Sequence, residues 1–200
     1  MHVAPPVDQV AAEDRACHGG PAEPVVHFNG GVARPSTLEQ LLVGSDGTVT
    51  ATLEGLVGEP IDVTVRGHRA VASDGTGALR VPAGHPLLCR AAILHGRHSG
   101  RPYVEAVSLL VPSRLPEGFV ARLDSGGQPI GRHLAAEGVE VTREALADRD
   151  PLARSAWPDG APPREAVRLA RTYRLDAGGR PVMVISEWFL TALDPFLEVT

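Results

Sequence analysis

The sequence predicts an α+β domain built on a single antiparallel sheet. Two pairs of apolar, strand-like segments, 87–94 with 103–111 and 167–175 with 182–190, each flank a glycine-bearing connection, the pattern of a β-hairpin. Helix-like segments lie between the hairpins, and repeated strand–helix–strand units, the mark of a parallel sheet, are missing. At 200 residues and 43% apolar composition, the chain can hold one domain with a core of its own.

Residues 1–34 are rich in Pro, Ala, Gly and His without periodicity, and read as a disordered or loosely attached tail, leaving 35–200 as the domain. Ser36 with Glu39 forms a capping box ahead of Leu38, Leu41 and Leu42, which predicts a short helix. Ser45-Asp46-Gly47 breaks it, and Val49, Leu53 and Leu56 then recur at helical spacing over 48–56. Residues 61–66 alternate as a half-exposed strand, and 71–77 read as a turn-rich connection. In the first hairpin, Gly96 and Gly100 lie in the link. Ser113 is expected to open a helix carrying Leu115, Phe119, Val120 and Leu123, and 129–136 a second short one. Thr142 is placed as the N-cap of a helix over 143–149. Residues 151–163, with four prolines, read as a loop before the closing hairpin.

Composition removes several classes of function. All 19 basic residues are Arg, so a Schiff-base lysine, a pyridoxal phosphate lysine and a P-loop lysine are excluded. A net charge of -5 gives no electrostatic case for nucleic acid. No phosphate-loop motif and no Gly-x-Ser-x-Gly elbow occurs. His95 and His98 lie in a glycine-rich link between arginines and read as solvated turn residues rather than metal ligands. Cys17 and Cys89 do not suggest a disulfide framework, and Cys89 reads as a small buried filler. No signal peptide or membrane span is visible, so a cytoplasmic protein with no membrane partner is expected.

The informative residues are two charges in apolar strands. Side chains alternate faces along a strand, so Met183, Ile185, Glu187 and Phe189 share one face, and Arg90 shares another with Leu88, Ala92 and Leu94. A charge stripped of water costs several kcal/mol, roughly, unless it is partnered. The partner is either structural or a ligand. Arg171, on the same apolar pattern as Leu169, Tyr173 and Leu175, is positioned to neutralise Glu187 across the hairpin. An Arg and a Glu facing one cavity would hold a small molecule with a carboxylate at one end and a hydroxyl at the other.

Five stretches in order, Gly47-Thr-Val-Thr50, Leu88-Cys-Arg-Ala-Ala-Ile-Leu94, Pro129-Ile-Gly-Arg-His-Leu134, Tyr173-Arg-Leu175 and 179–190, resemble the chorismate pyruvate-lyase family. The resemblance covers about 35–190, and its most specific piece is the run from Pro181 to Glu187-Trp-Phe-Leu190. It is closer to the actinobacterial branch, which feeds 4-hydroxybenzoate into glycolipids and secondary metabolites, than to the ubiquinone-pathway branch. From the latter it departs by about one residue near the strand and turn leading to Glu187, and the tail has no counterpart.

The resemblance implies an antiparallel sheet with helical flaps over an internal ligand pocket. It also implies cleavage of chorismate to 4-hydroxybenzoate and pyruvate with no metal or organic cofactor. The family's carboxylate-binding arginine falls on Arg90, and the carboxylate that meets the ring hydroxyl falls on Glu187. Two main-chain amides that bind the substrate fall near Val49 and Ile130, one under each flap. Two alternatives stay open: the same pocket acting on another enolpyruvyl or aromatic acid, and a non-enzymatic effector-binding domain. For the second, the residues before 35 are too few and too Pro/Gly-rich for the winged helix-turn-helix that would precede it. Monomer and homodimer are both compatible with the sequence.

Overall fold

Seven strands form one antiparallel sheet in the computed structural model, which describes residues 27–28, 37–44, 49–125, 127–146 and 162–197. Strands β3 (Pro86–Gly96) and β4 (Pro102–Leu110) make one hairpin. Strands β6 (Val167–Ala177) and β7 (Arg180–Leu190) make the other. The second hairpin turns on Gly178 and Gly179, at φ 55° and 74°, the positive values that a two-residue turn matching strand twist requires. The hairpins join through β4 and β7. Strand β2 (Ile61–Ala72) extends the sheet beside β3. At the other side, β1 (His27–Phe28) and β5 (Val141–Ala145) share the outer edge of β6, one toward each end.

Among the described residues, the α-helices lie over one face of the sheet, the arrangement expected of an α+β domain. Helices α1 (Thr37–Gly44) and α2 (Val49–Val57) and the C-terminal turn α5 (Asp194–Leu197) contribute Leu42, Leu53 and Leu197 to a cluster with Leu94, Val104, Leu169 and Phe189. Helices α3 (Phe119–Ser125) and α4 (Ile130–Ala136) contribute Phe119, Leu123 and Leu134 to a second cluster with Leu110, Leu175 and Met183. The opposite face buries Cys89, Val107, Leu109, Val184 and Trp188 under Leu79 and Val81 of the β2–β3 connection. Strand β7 is therefore buried on both faces, which is why its sequence reads as a nearly unbroken apolar run.

Several expectations need correction. Residues 141–145 form an edge strand, not the helix capped by Thr142. The outer side of β6 offers unpaired backbone groups, β-branched Val141 and Thr142 suit a strand, and pairing overrides local helix propensity. Ser113 lies in a 3₁₀ turn, Pro112–Arg114, and the helix begins only at Phe119, beyond Pro116 and Gly118. Arg114 fixes that turn by donating to the carbonyls of Leu79 (2.9 Å) and Pro181 (2.6 Å). Strand β2 runs on to Ala72 through a bulge between Val65 and Gly67, absorbing part of the expected connection. Within 1–34, His27 and Phe28 pair with Ala170 and Leu169. The Ser36 cap, the break at 45–47 and residues 151–161 lie outside the described residues. Among the described residues, no helix is long and apolar enough to cross a membrane.

Candidate active site

Three transverse rows of side chains on the helix-covered face define the site. One row runs Ala92, Ala106, Glu187, Arg171 across β3, β4, β7 and β6. The next runs Arg90, Ser108, Ile185, Tyr173 and ends at Ala145 of β5. A third runs Leu88, Leu110, Met183, Leu175, Arg143. Ala92, Ala106 and Ser108 are small, so they leave open volume above the sheet between Arg90 and Glu187. The two apolar clusters close in on either side, and the space between them is a cavity of about 190 Å³.

All four residues singled out in the sequence line this one cavity: Arg90 and Glu187 on its floor, Val49 and Ile130 in its roof. Arg90 and Glu187 stand on strands separated by β4, which at a strand spacing of about 4.8 Å puts their backbones on the order of 10 Å apart or a little more. Both face the same space. Val49 is the first residue of α2 and Ile130 the first of α4. The first turns of helices hold backbone N–H groups with no intrahelical acceptor, and these bring positive partial charge to the roof.

Glu187 is 4% exposed, and both its oxygens are engaged. Arg171 donates Nε–H to Oε2 at 2.6 Å, and the Tyr173 hydroxyl donates to Oε1 at 3.0 Å. Arg171 also donates from Nη1 to the Leu42 carbonyl of α1 at 2.7 Å, tying the flap to the floor. Burial is the largest single influence on Arg171 and pulls its pKa down, but the charge and hydrogen bond of Glu187 together with Tyr173 outweigh it and hold the guanidinium above its ordinary value. Burial, reinforced by the Glu187 charge, pushes the Tyr173 hydroxyl well above its ordinary range, so it stays a donor. The bulge after Val167 turns that residue to the opposite face, while Leu169, Arg171, Tyr173 and Leu175 keep the site side.

Three cavity residues escape the sequence reading. Tyr173 looks like one more apolar-face residue until its hydroxyl is placed against Glu187. Thr50 is fully buried in the roof, and its Oγ1 has no hydrogen-bond partner among the described residues. Only its place in the Gly47–Thr50 stretch hinted at a role. Arg143 lines the cavity with its guanidinium 4.3 Å from the centre of the Tyr173 ring, and the helix expected around Thr142 hid it. The hairpin histidines have ordinary local partners: His95 Nε2 lies 2.9 Å from Thr64 Oγ1, and the His98 N–H donates to Glu59.

Residues 42–197 match the Rv2949c-like chorismate pyruvate-lyase family. The chain belongs to that family. A chorismate pyruvate-lyase of Mycobacterium tuberculosis is 28% identical over 168 residues, covering 77% of this chain and 80% of the relative. A probable chorismate pyruvate-lyase of Halorhodospira halophila is 34% identical over 162 residues, covering 78% and 83%. The effector domain of PhnF from Mycobacterium smegmatis superposes with a TM-score of 0.51 at 14% identity, covering 72% of this chain and 89% of that domain. At that identity the likeness is one of fold alone. Within this chorismate pyruvate-lyase family member, the matched span takes in both charged floor residues and both roof helices.

Proposed function

We propose that this chain cleaves chorismate to 4-hydroxybenzoate and pyruvate in the cavity between Arg90 and Glu187. The observation that carries the reading is the placement of those two residues on one floor, facing a common enclosed space across Ala106 and Ser108. Family membership and the names of the relatives support the same reaction.

The chemistry asks little of the protein. Loss of the C4 proton supplies the electron pair for a new ring double bond, and the C3–O bond breaks. The enolpyruvyl group departs and takes up a proton to become pyruvate. Aromatisation drives the step, so the site needs to hold one conformer and to stabilise developing charge. Arg90 pairs bidentately with the ring carboxylate, which a planar guanidinium fits. The backbone N–H groups near Val49 and Ile130 complete that clamp from the roof. Glu187, with both oxygens acting as acceptors, takes the C4 hydroxyl hydrogen bond and fixes that end of the ring. Arg171 and Tyr173 hold Glu187 in place and do not themselves complete the clamp. Thr50 Oγ1 is a further hydrogen-bonding group for the bound acid.

Chorismate turnover in Arg90→Ala and Glu187→Gln, followed by pyruvate release, tests the assignment. Loss of an interaction between charged, desolvated partners should lower kcat/KM for Arg90→Ala by about a hundredfold or more. Glu187→Gln, which keeps the shape and loses the charge, should lower kcat. An Arg90→Ala protein with wild-type kcat/KM would rule out the clamp.

A further inference from the structure

Glu54 and Arg132 stand outside that scheme, yet they join the two halves of the cavity's roof. Helix α2 packs with the first apolar cluster and α4 with the second, and the cavity lies between the two. Apolar packing thus seats each helix on its own part of the sheet. An ion pair bridges from one to the other. Arg132 of α4 donates from Nη2 to both carboxylate oxygens of Glu54 in α2, at 2.9 Å each. Glu54 Oε1 also accepts from the N–H of Ile61, the first residue of β2, at 3.1 Å. One carboxylate therefore fastens α2, α4 and the start of a sheet strand at a single point.

We propose that Glu54 and Arg132 are positioning residues for the substrate carboxylate. Their ion pair sets the spacing of the two roof helices, and with it the fit of the main-chain amides near Val49 and Ile130 to the bound acid. This inference rests on the lyase reading and deepens it. Arg132 lies in the first turn of α4, two residues after Ile130, so a shift of Arg132 carries the Ile130 backbone with it. Glu54 lies five residues after Val49, about a turn and a half along α2. Two amides on separate helices meet one carboxylate only at one helix separation, because hydrogen bonds hold over a narrow range of distance and angle. Neither Glu54 nor Arg132 lines the cavity, so both act through the amides and not on the ligand. Both side chains are partly exposed, and this sets the size of the effect: a pair in contact with water contributes a factor of about five at most.

The test uses the full chain and two unreactive acids, benzoate and 4-hydroxybenzoate, which share the carboxylate end and differ at the hydroxyl end. Dissociation constants are measured by calorimetry for wild type, Glu54→Gln, Arg132→Gln, the double variant and Arg132→Lys, with unfolding midpoints alongside. Each single Gln variant should weaken both acids by the same factor, about two- to fivefold, and lower the midpoint by no more than about 4 °C. The double variant should bind no more weakly than either single one, because the two residues act as a unit. Arg132→Lys, which keeps the charge and loses the fork, should recover part of the loss. Wild-type affinity in the Gln variants would overturn the inference. So would a double variant that loses the sum of the two single effects, or a loss confined to 4-hydroxybenzoate, which would place the effect at the Glu187 end. A midpoint lowered by about 10 °C or more would make the pair a support of the fold instead. A folded wild type that binds neither acid would overturn the lyase reading itself, and this inference with it.

Discussion

Arg171 and Glu187 lie directly opposite each other on β6 and β7, with Nε 2.6 Å from Oε2 and both side chains about 95% buried. The pair answers the question posed by a charge in an apolar strand. Glu187 has a structural partner, yet it still faces the cavity, because Arg171 approaches from β6 while the open volume lies on the β4 side over Ala106. A buried ion pair and a ligand-binding carboxylate are here the same residue in two directions.

Breaking that pair should be costly. Arg171→Met leaves a buried carboxylate without its cation, for an expected loss of about 3–5 kcal/mol. The double variant Arg171→Met with Glu187→Leu should recover much of the stability and none of the ligand binding. Urea unfolding of both proteins checks this, and a double variant no more stable than the single one would contradict it.

Tyr173 contributes less to stability than to orientation. Tyr173→Phe removes one hydrogen bond to a charged group and leaves the ring beneath Arg143, so stability should fall by about 1.5–3 kcal/mol. With one of its two restraints gone, Glu187 should bind the hydroxyl end of the ligand less well. Comparing 4-hydroxybenzoate with benzoate isolates that effect: the preference for the hydroxylated acid should shrink in Tyr173→Phe.

The open volume depends on small residues in the floor. Ala106→Leu should fill the space between Arg90 and Glu187, abolish ligand binding, and leave the unfolding midpoint unchanged or raised, since it covers apolar surface in an existing cavity. Retained binding of 4-hydroxybenzoate by a folded Ala106→Leu protein would place the ligand elsewhere.

Away from the site, Glu59 organises the β3–β4 link. The Ser99 hydroxyl (2.6 Å) and N–H, with the His98 N–H and the Tyr103 hydroxyl, hold its carboxyl down at about 2. A depressed carboxyl stabilises the fold above its unfolded pKa of 4.5, and that contribution is lost as pH falls toward about 2. Glu59→Gln should lower stability at neutral pH and flatten the acid limb of the stability profile between those values. A variant with the wild-type acid limb would contradict the assignment.

Much of this was legible because strands announce their faces. Alternation in 182–190 exposes Glu187 as a charge among Met183, Ile185 and Phe189, and the same rule isolates Arg90. Arg171 could be read as a neighbour of Glu187 across the hairpin, but their direct pairing also needs the bulge between Leu175 and Asp176, which shifts by one residue the register set by the Gly178-Gly179 turn. The cavity was not legible, since it arises from three small residues, Ala92, Ala106 and Ser108, meeting on two adjacent strands. Arg143 was hidden for another reason. Thr142 is a good helix cap by local chemistry, and only the unpaired edge of β6 decides that the segment extends as a strand.

The central claim is tested most directly by mixing the purified wild-type chain with chorismate in metal-free buffer and measuring pyruvate and 4-hydroxybenzoate together. A lyase working in this cavity should release the two in equimolar amounts, slowing as 4-hydroxybenzoate accumulates in the enclosed site. A folded protein that releases neither product would contradict the claim.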